Sequence, residues 1–225
     1  MILAGAWSRK QFGYQFSTDK LLELALTHKS FSSKNNERLE FLGDAVLGFV
    51  IAEALYLQET VADEGGLTRL RASLVKRETL AEIARSINLG KVMQLGVGES
   101  RAGSHQRQSI LADGLEAVFG AVHIDGGYSA AKTVILRLFD ERLASLPDLE
   151  TLKDPKTMLQ EALQAVGLPV PVYRVEHEEG PPHEREFDVS CHIEERSIRT
   201  SGRASSRRAA EQDAAAKALL LLGDG

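Results

Sequence analysis

Residues 36 to 47 read Asn-Glu-Arg-Leu-Glu-Phe-Leu-Gly-Asp-Ala-Val-Leu. At roughly 100° per residue, Glu37, Glu40 and Asp44 fall within an arc of about 60° on one helix. Leu39, Leu42, Val46, Phe49 and Val50 take the opposite side. Phe41 and Leu47 flank the acids, and the run stays largely apolar to Leu57. A helix that is hydrophobic nearly all round is normally buried. Carboxylates enter such a surface only with a partner, because an unpaired buried charge is expensive. Converging acids therefore call for cationic side chains or a metal.

A second segment makes the same demand. Residues 110 to 124 hold two acids, Asp113 and Glu116, and no Lys or Arg. Their i, i+3 spacing puts both on one helical face. Oxygen-only clusters suit hard cations, Mg²⁺ or Mn²⁺, better than zinc. A carboxylate-held metal commonly serves phosphate chemistry.

The elements that must position these acids come next. Up to about Leu146, Leu21–Ala25, the motif helix, Leu67–Ile87 and Ile110–His123 show helical spacing or length, and strand-like alternation is scarce. Residues 98–107 read as a mobile loop. Residues 145–150, with Pro147, form a linker or helix end. The pattern then changes. Lys156–Val166 is a short helix stopped by Gly167 and Pro169. Val170–His177 is a strand. Phe187, Val189, Cys191 and Ile193 alternate with polar residues as a half-buried strand does. Ile198–Gly202 is a third strand, and Ser206–Leu222 a closing helix. The fold expected is an all-α domain over 1–148 and a small α+β domain, ordered α-β-β-β-α, over 153–225.

Composition sets looser bounds. The chain has 225 residues, 43% hydrophobic, with a net charge of −5. That balance argues against a nonspecific nucleic-acid coat, although local charge decides contact. A single Cys excludes an intrachain disulfide. No signal peptide and no membrane segment stand out, so the expected location is cytoplasmic. Between Arg196 and Arg208 lie five arginines and no acid, within a region (151–225) of ten basic and thirteen acidic residues. Arg207 and Arg208 fall in the first turn of a helix, where a positive helix end and two guanidinium groups suit a phosphate.

The stretch Asn36-Glu37-Arg38-Leu39-Glu40-Phe41-Leu42-Gly43-Asp44 resembles the defining motif of the ribonuclease III family. Leu26–Ser30, Asp63-Glu64-Gly65 and Ser109–Ala117 resemble the segments that accompany it. The pieces Asp154–Glu161, Gly180–Phe187 and Ser206–Gln212 resemble a double-stranded-RNA-binding domain, a module that reads duplex RNA by backbone shape and 2′-hydroxyls. The resemblance implies a homodimeric, metal-dependent endoribonuclease of double-stranded RNA. Its products carry 5′-phosphate and 3′-hydroxyl ends with a short 3′ overhang, and its substrates include ribosomal RNA precursors. Glu40, Asp44, Asp113 and Glu116 would hold Mg²⁺, with Asp44 and Glu116 catalytic and Glu37 and Glu64 supporting. Gln160, His183, Arg207 and Arg208 would contact RNA, Phe41 would contact the second subunit, and Leu42 either that subunit or the core. Glu211 departs from the basic residue common at its position in stand-alone RNA-binding domains. The competing readings are an RNA-binding scaffold without catalysis and a phosphohydrolase of small nucleotides.

Overall fold

A computed structural model describes residues 4–59, 61–181 and 184–223. The chain forms two compact units, Met1–Leu149 and Glu150–Gly225.

The first unit is helical: α1 (Ala4–Phe12), α2 (Asp19–Ala25), α3 (Glu37–Gln58), α4 (Glu64–Val75), α5 (Arg77–Ser86), α6 (Val97–Arg101) and α7 (Gln108–Ala144). Its most extensive contact is α3 against α7. Leu39, Leu47, Val50, Ile51 and Leu55 of α3 are buried, as are Leu111, Leu115, Val118, Phe119 and Val122 of α7. Each such side chain removed from water contributes about 1.5–3 kcal/mol. Polar ties hold the bundle ends. Trp7 Nε1 donates to Ile87 O (2.7 Å), Gln58 Nε2 to Leu143 O (2.8 Å), and Tyr14 Oη to Asp125 (2.8 Å).

Three local features differ from the sequence expectation. Residues 67–87 do not make one helix. Lys76 is extended (φ −66°, ψ 153°), ends α4 and starts α5, while Thr79 Oγ1 donates to Ser73 O across the break. No Gly or Pro announces it. Residues 98–107 are not a plain loop. They carry most of α6 and a 3₁₀ turn, Ser104–Gln106, with Ser104 buried. Third, α7 runs far beyond His123 but is broken at Gly127 (φ 74°, ψ −174°), a conformation open only to glycine at low cost.

The second unit holds α8 (Pro155–Ala165), an antiparallel sheet of β1 (Val172–Glu179), β2 (Glu186–Ile193) and β3 (Ile198–Ala204) in that order, and α9 (Arg207–Gly223). Asp154 caps α8 by accepting from Thr157 N, with Pro155 in the first turn. Leu159, Leu163, Cys191, Ile193, Ala214, Ala215 and Ala218 form its core. The alanines bring α9 close to the sheet. At Gly202 the approach is tightest, since a Cβ there would lie 2.1 Å from Ala210 O. Both units match the expected fold class.

Candidate metal centre

Main-chain contact sets the width of the acid cluster. A Cβ on Gly43 would lie 1.7 Å from the carbonyl oxygen of Glu116, and one on Gly120 would lie 2.2 Å from that of Leu39. The two helices therefore touch backbone to backbone, and only glycine permits it. Glu40, three residues before Gly43, is thereby brought against Asp113 and Glu116. One carboxylate oxygen from each of these three lies within 4.8 Å of the others. The start of α3 is fixed by Asn36, which is buried. Its amide donates to Ala25 O (3.3 Å) and its backbone N to Thr27 O (2.9 Å). Asn35 Oδ1 accepts from Glu37 N (3.0 Å) just ahead of the helix.

Crowding shows in the proton affinities. Burial, then Asp44, Asp113 and Glu40, push the Glu116 carboxyl up to about 8. Burial, then Asp113 and Glu37, raise Glu40, and burial raises Asp113. A cluster whose members resist ionisation together is one that a divalent cation relieves. Partial burial and three convergent carboxylate oxygens, with no sulfur or imidazole in the group among the described residues, fit a hard cation.

Asp44 stands outside that trio. It is exposed, one turn beyond Glu40, yet after burial its charge acts most strongly on Glu116. Glu37 is exposed and pairs with Lys29 (3.2 Å). Glu64 opens α4 behind its cap Asp63 and accepts from Thr68 Oγ1 (3.0 Å); it is not one of the three acids whose oxygens converge.

The cations near the acids come from elsewhere in the fold. Lys29 acts on Glu40 and Asp113, His28 on Asp113, and Arg77, at the start of α5, on Asp113 and Glu116. Of the two acidic segments, only 110–124 lacks Lys and Arg; the motif itself carries Arg38, which is exposed. His28 and Lys29 lie in the segment preceding the motif, but nothing around Arg77 singles it out. His28 itself bonds Ser30 Oγ through Nδ1 (2.8 Å).

The motif helix is not buried all round. Leu47 is fully buried, so it does not present apolar surface beside the acids; Phe41 (81% exposed) does, and Phe49 (60%) and Tyr56 (72%) continue the outward apolar surface along α3. Phe49, expected on the core side, instead meets the ring of Tyr128 with centroids 5.3 Å apart.

In the second unit the five-arginine run is largely neutralised. Arg199 pairs with Glu176 (3.3 Å), Arg203 with Glu186, Arg207 with Glu211 (2.9 Å) and Arg208 with Asp154 (3.9 Å). Gln160 is exposed on α8. His183 lies outside the described residues.

The model of the family described as Ribonuclease-III-like matches residues 18–143, and that of the double-stranded RNA binding motif matches 155–222. The chain belongs to the ribonuclease III family. Ribonuclease 3 of Alkalilimnicola ehrlichii is 49% identical over 214 residues, 95% of this chain and 94% of that protein. Ribonuclease 3 of Pseudomonas fluorescens is 49% identical over 99% of this chain and 97% of its own length. The nuclease domain of ribonuclease III from Campylobacter jejuni superposes with a TM-score of 0.59 at 46% identity, covering 60% of this chain and 95% of that domain. This ribonuclease III is thus an endoribonuclease acting on double-stranded RNA. The family is metal dependent, and Glu40, Asp113 and Glu116 form a group able to hold the ion.

Proposed function

We propose that this ribonuclease III hydrolyses duplex RNA with Mg²⁺, for which Mn²⁺ substitutes, held by Glu40, Asp44, Asp113 and Glu116. The carrying observation is the convergence of three carboxylates from two helices that touch through Gly43 and Glu116. Asp44 supplies the fourth carboxylate, since it follows Glu40 by one turn and its charge already acts on Glu116. When bound, the cation neutralises charge on the phosphodiester and activates the attacking water. Asp44 and Glu116 are the residues nearest the reaction. Glu37 and Glu64 support them by adding negative charge at the rim. Water oxygen bonds to phosphorus, the bond from phosphorus to the 3′ oxygen breaks, and that oxygen takes a proton. The ends are therefore 5′-phosphate and 3′-hydroxyl.

The nuclease domain spans 1–148 and the RNA-binding domain 153–225. Gln160, His183, Arg207 and Arg208 contact the duplex. The exposed stripe Phe41, Phe49 and Tyr56 supports a homodimer, because a monomer would leave that apolar surface in water. Two centres, one for each strand, then give a short 3′ overhang. Ribosomal RNA precursors and other structured transcripts in the cytoplasm are the substrates.

The test is single-turnover cleavage of a long RNA duplex with and without Mg²⁺, beside a gel-shift titration in Ca²⁺. Glu116→Gln keeps shape but removes an anionic ligand. It is expected to bind duplex near normally and to cut at least about 100-fold more slowly. Near-normal cutting by this variant would remove Glu116 from the site; cutting without any divalent metal would remove the mechanism.

A further inference from the structure

The buried carboxylate of Glu211 has no role in the chemistry above. Glu211 is only 8% exposed, on the helix that carries the two arginines. Such a burial is costly unless both oxygens are paired. Both are. Oε2 accepts from Lys156 Nζ of α8 (2.7 Å), and Oε1 accepts from Arg207 Nε (2.9 Å). Lys156 in turn lies 4.5 Å from the ring centroid of Tyr173 on β1, which packs on the core. An unbroken chain thus runs from the core through Tyr173, Lys156 and Glu211 to Arg207. The Arg207 side chain remains 64% exposed, and only its Nε is engaged among the described residues. Its two terminal amino groups are free for a ligand. Arg208 is held differently: it is 81% exposed and reaches Asp154 only at 3.9 Å.

We propose that Glu211 is a positioning residue for duplex-RNA binding, fixing the Arg207 guanidinium by one edge so that the other edge meets a phosphate. This rests on the reading of Arg207 as a phosphate contact. Long side chains lose rotamer freedom when they bind, and one already ordered loses less. A carboxylate near the RNA backbone is, on charge alone, unfavourable. The two roles therefore predict opposite signs.

The experiment titrates a labelled RNA duplex, longer than the roughly 16 base pairs such a domain spans, against the full chain in Ca²⁺ over a range of salt. Glu211→Ala should weaken binding about 2- to 12-fold, the worth of ordering one long side chain. The log–log salt slope should flatten by up to roughly 0.9, one phosphate contact. Glu211→Asp keeps the charge but shortens the reach, and should behave like Glu211→Ala. Glu211→Gln can still accept from Arg207 and should recover part of the affinity and the slope. Combining Glu211→Ala with Arg207→Ala should cost no more than Arg207→Ala alone. Tighter or unchanged binding by Glu211→Ala, or wild-type binding by Glu211→Asp, overturns the proposal while leaving Arg207 as a contact. Normal binding by Arg207→Ala overturns the contact itself.

Discussion

Gly43 lies directly against the backbone of Glu116: a Cβ at that glycine would sit 1.7 Å from the Glu116 carbonyl oxygen. The acid-bearing helices are therefore spaced by main chain rather than by side chains. Gly43→Ala must push α3 from α7 or distort one of them. It should cost about 1–3 kcal/mol of stability, as overpacking does, and slow single-turnover cleavage by about 100-fold through displaced ligands. The control is Gly48→Ala on the same helix, where a Cβ meets nothing within 4 Å. That change should be neutral or stabilise by up to about 1 kcal/mol, since Gly is the poorer helix former. Equal behaviour of the two variants in melting and cleavage would contradict this spacing role.

Crowding at the cluster predicts a pH dependence in the metal-free protein. Glu116 has its carboxyl at about 8 when folded, against 4.5 ordinarily, with burial and then Asp44 as the leading causes. The folded state therefore holds a proton that the unfolded state releases between those values. The group's contribution to stability is complete below about pH 4.5 and is lost as pH rises through about 8. Glu116→Gln abolishes that titration. In EDTA at about pH 8.5 the variant should melt above the wild type, with the difference shrinking toward about pH 5. Added Mg²⁺ should raise the wild type more than the variant. A variant that melts lower at every pH without metal would refute the crowding.

The outward stripe of α3 predicts the assembly. Sedimentation at micromolar concentration should give twice the chain mass of 24.6 kDa. Phe49→Asp with Phe41→Asp should shift the protein to monomer and leave helix content intact. A wild-type monomer that cuts both strands would end the idea.

Cys191 is fully buried in the second unit's core, and burial pushes its thiol up despite the hydroxyls of Tyr173 and Thr200. It is the only cysteine. Iodoacetamide should therefore label the native protein no faster than this unit opens, and label it readily in denaturant. Rapid native labelling would place the thiol at the surface.

Helical spacing fixes which side chains share a face; it pairs Asp113 with Glu116, which converge with Glu40, while Glu37 and Asp44 on the same arc as Glu40 stand outside that group. Leu39, Val46 and Val50 took the core side as their spacing required. Phe49 did not, because a helix end-to-end apolar hides which stripe its neighbours leave uncovered. The tight contact at Gly43 was invisible, since it depends on the backbone of a residue over seventy positions away. Arg77 was missed for the same reason. In the second unit, alternation gave β2 and its buried Cys191. The run of arginines overstates the local charge, because register places Asp188 of β2 opposite Arg203 of β3. A local count of arginines cannot include acids supplied across a sheet.

The break at Gly127 divides the longest helix into a working part and a buttress. Asp113 and Glu116 lie before it; Val134, Ile135 and Phe139, all buried, lie after it. Helical register is passed along a continuous ladder of hydrogen bonds, and non-helical torsion interrupts that ladder. A core substitution after the break, such as Phe139→Ala, is therefore expected to lower the melting temperature by the cost of its cavity and to leave Asp113 and Glu116 in register with Glu40.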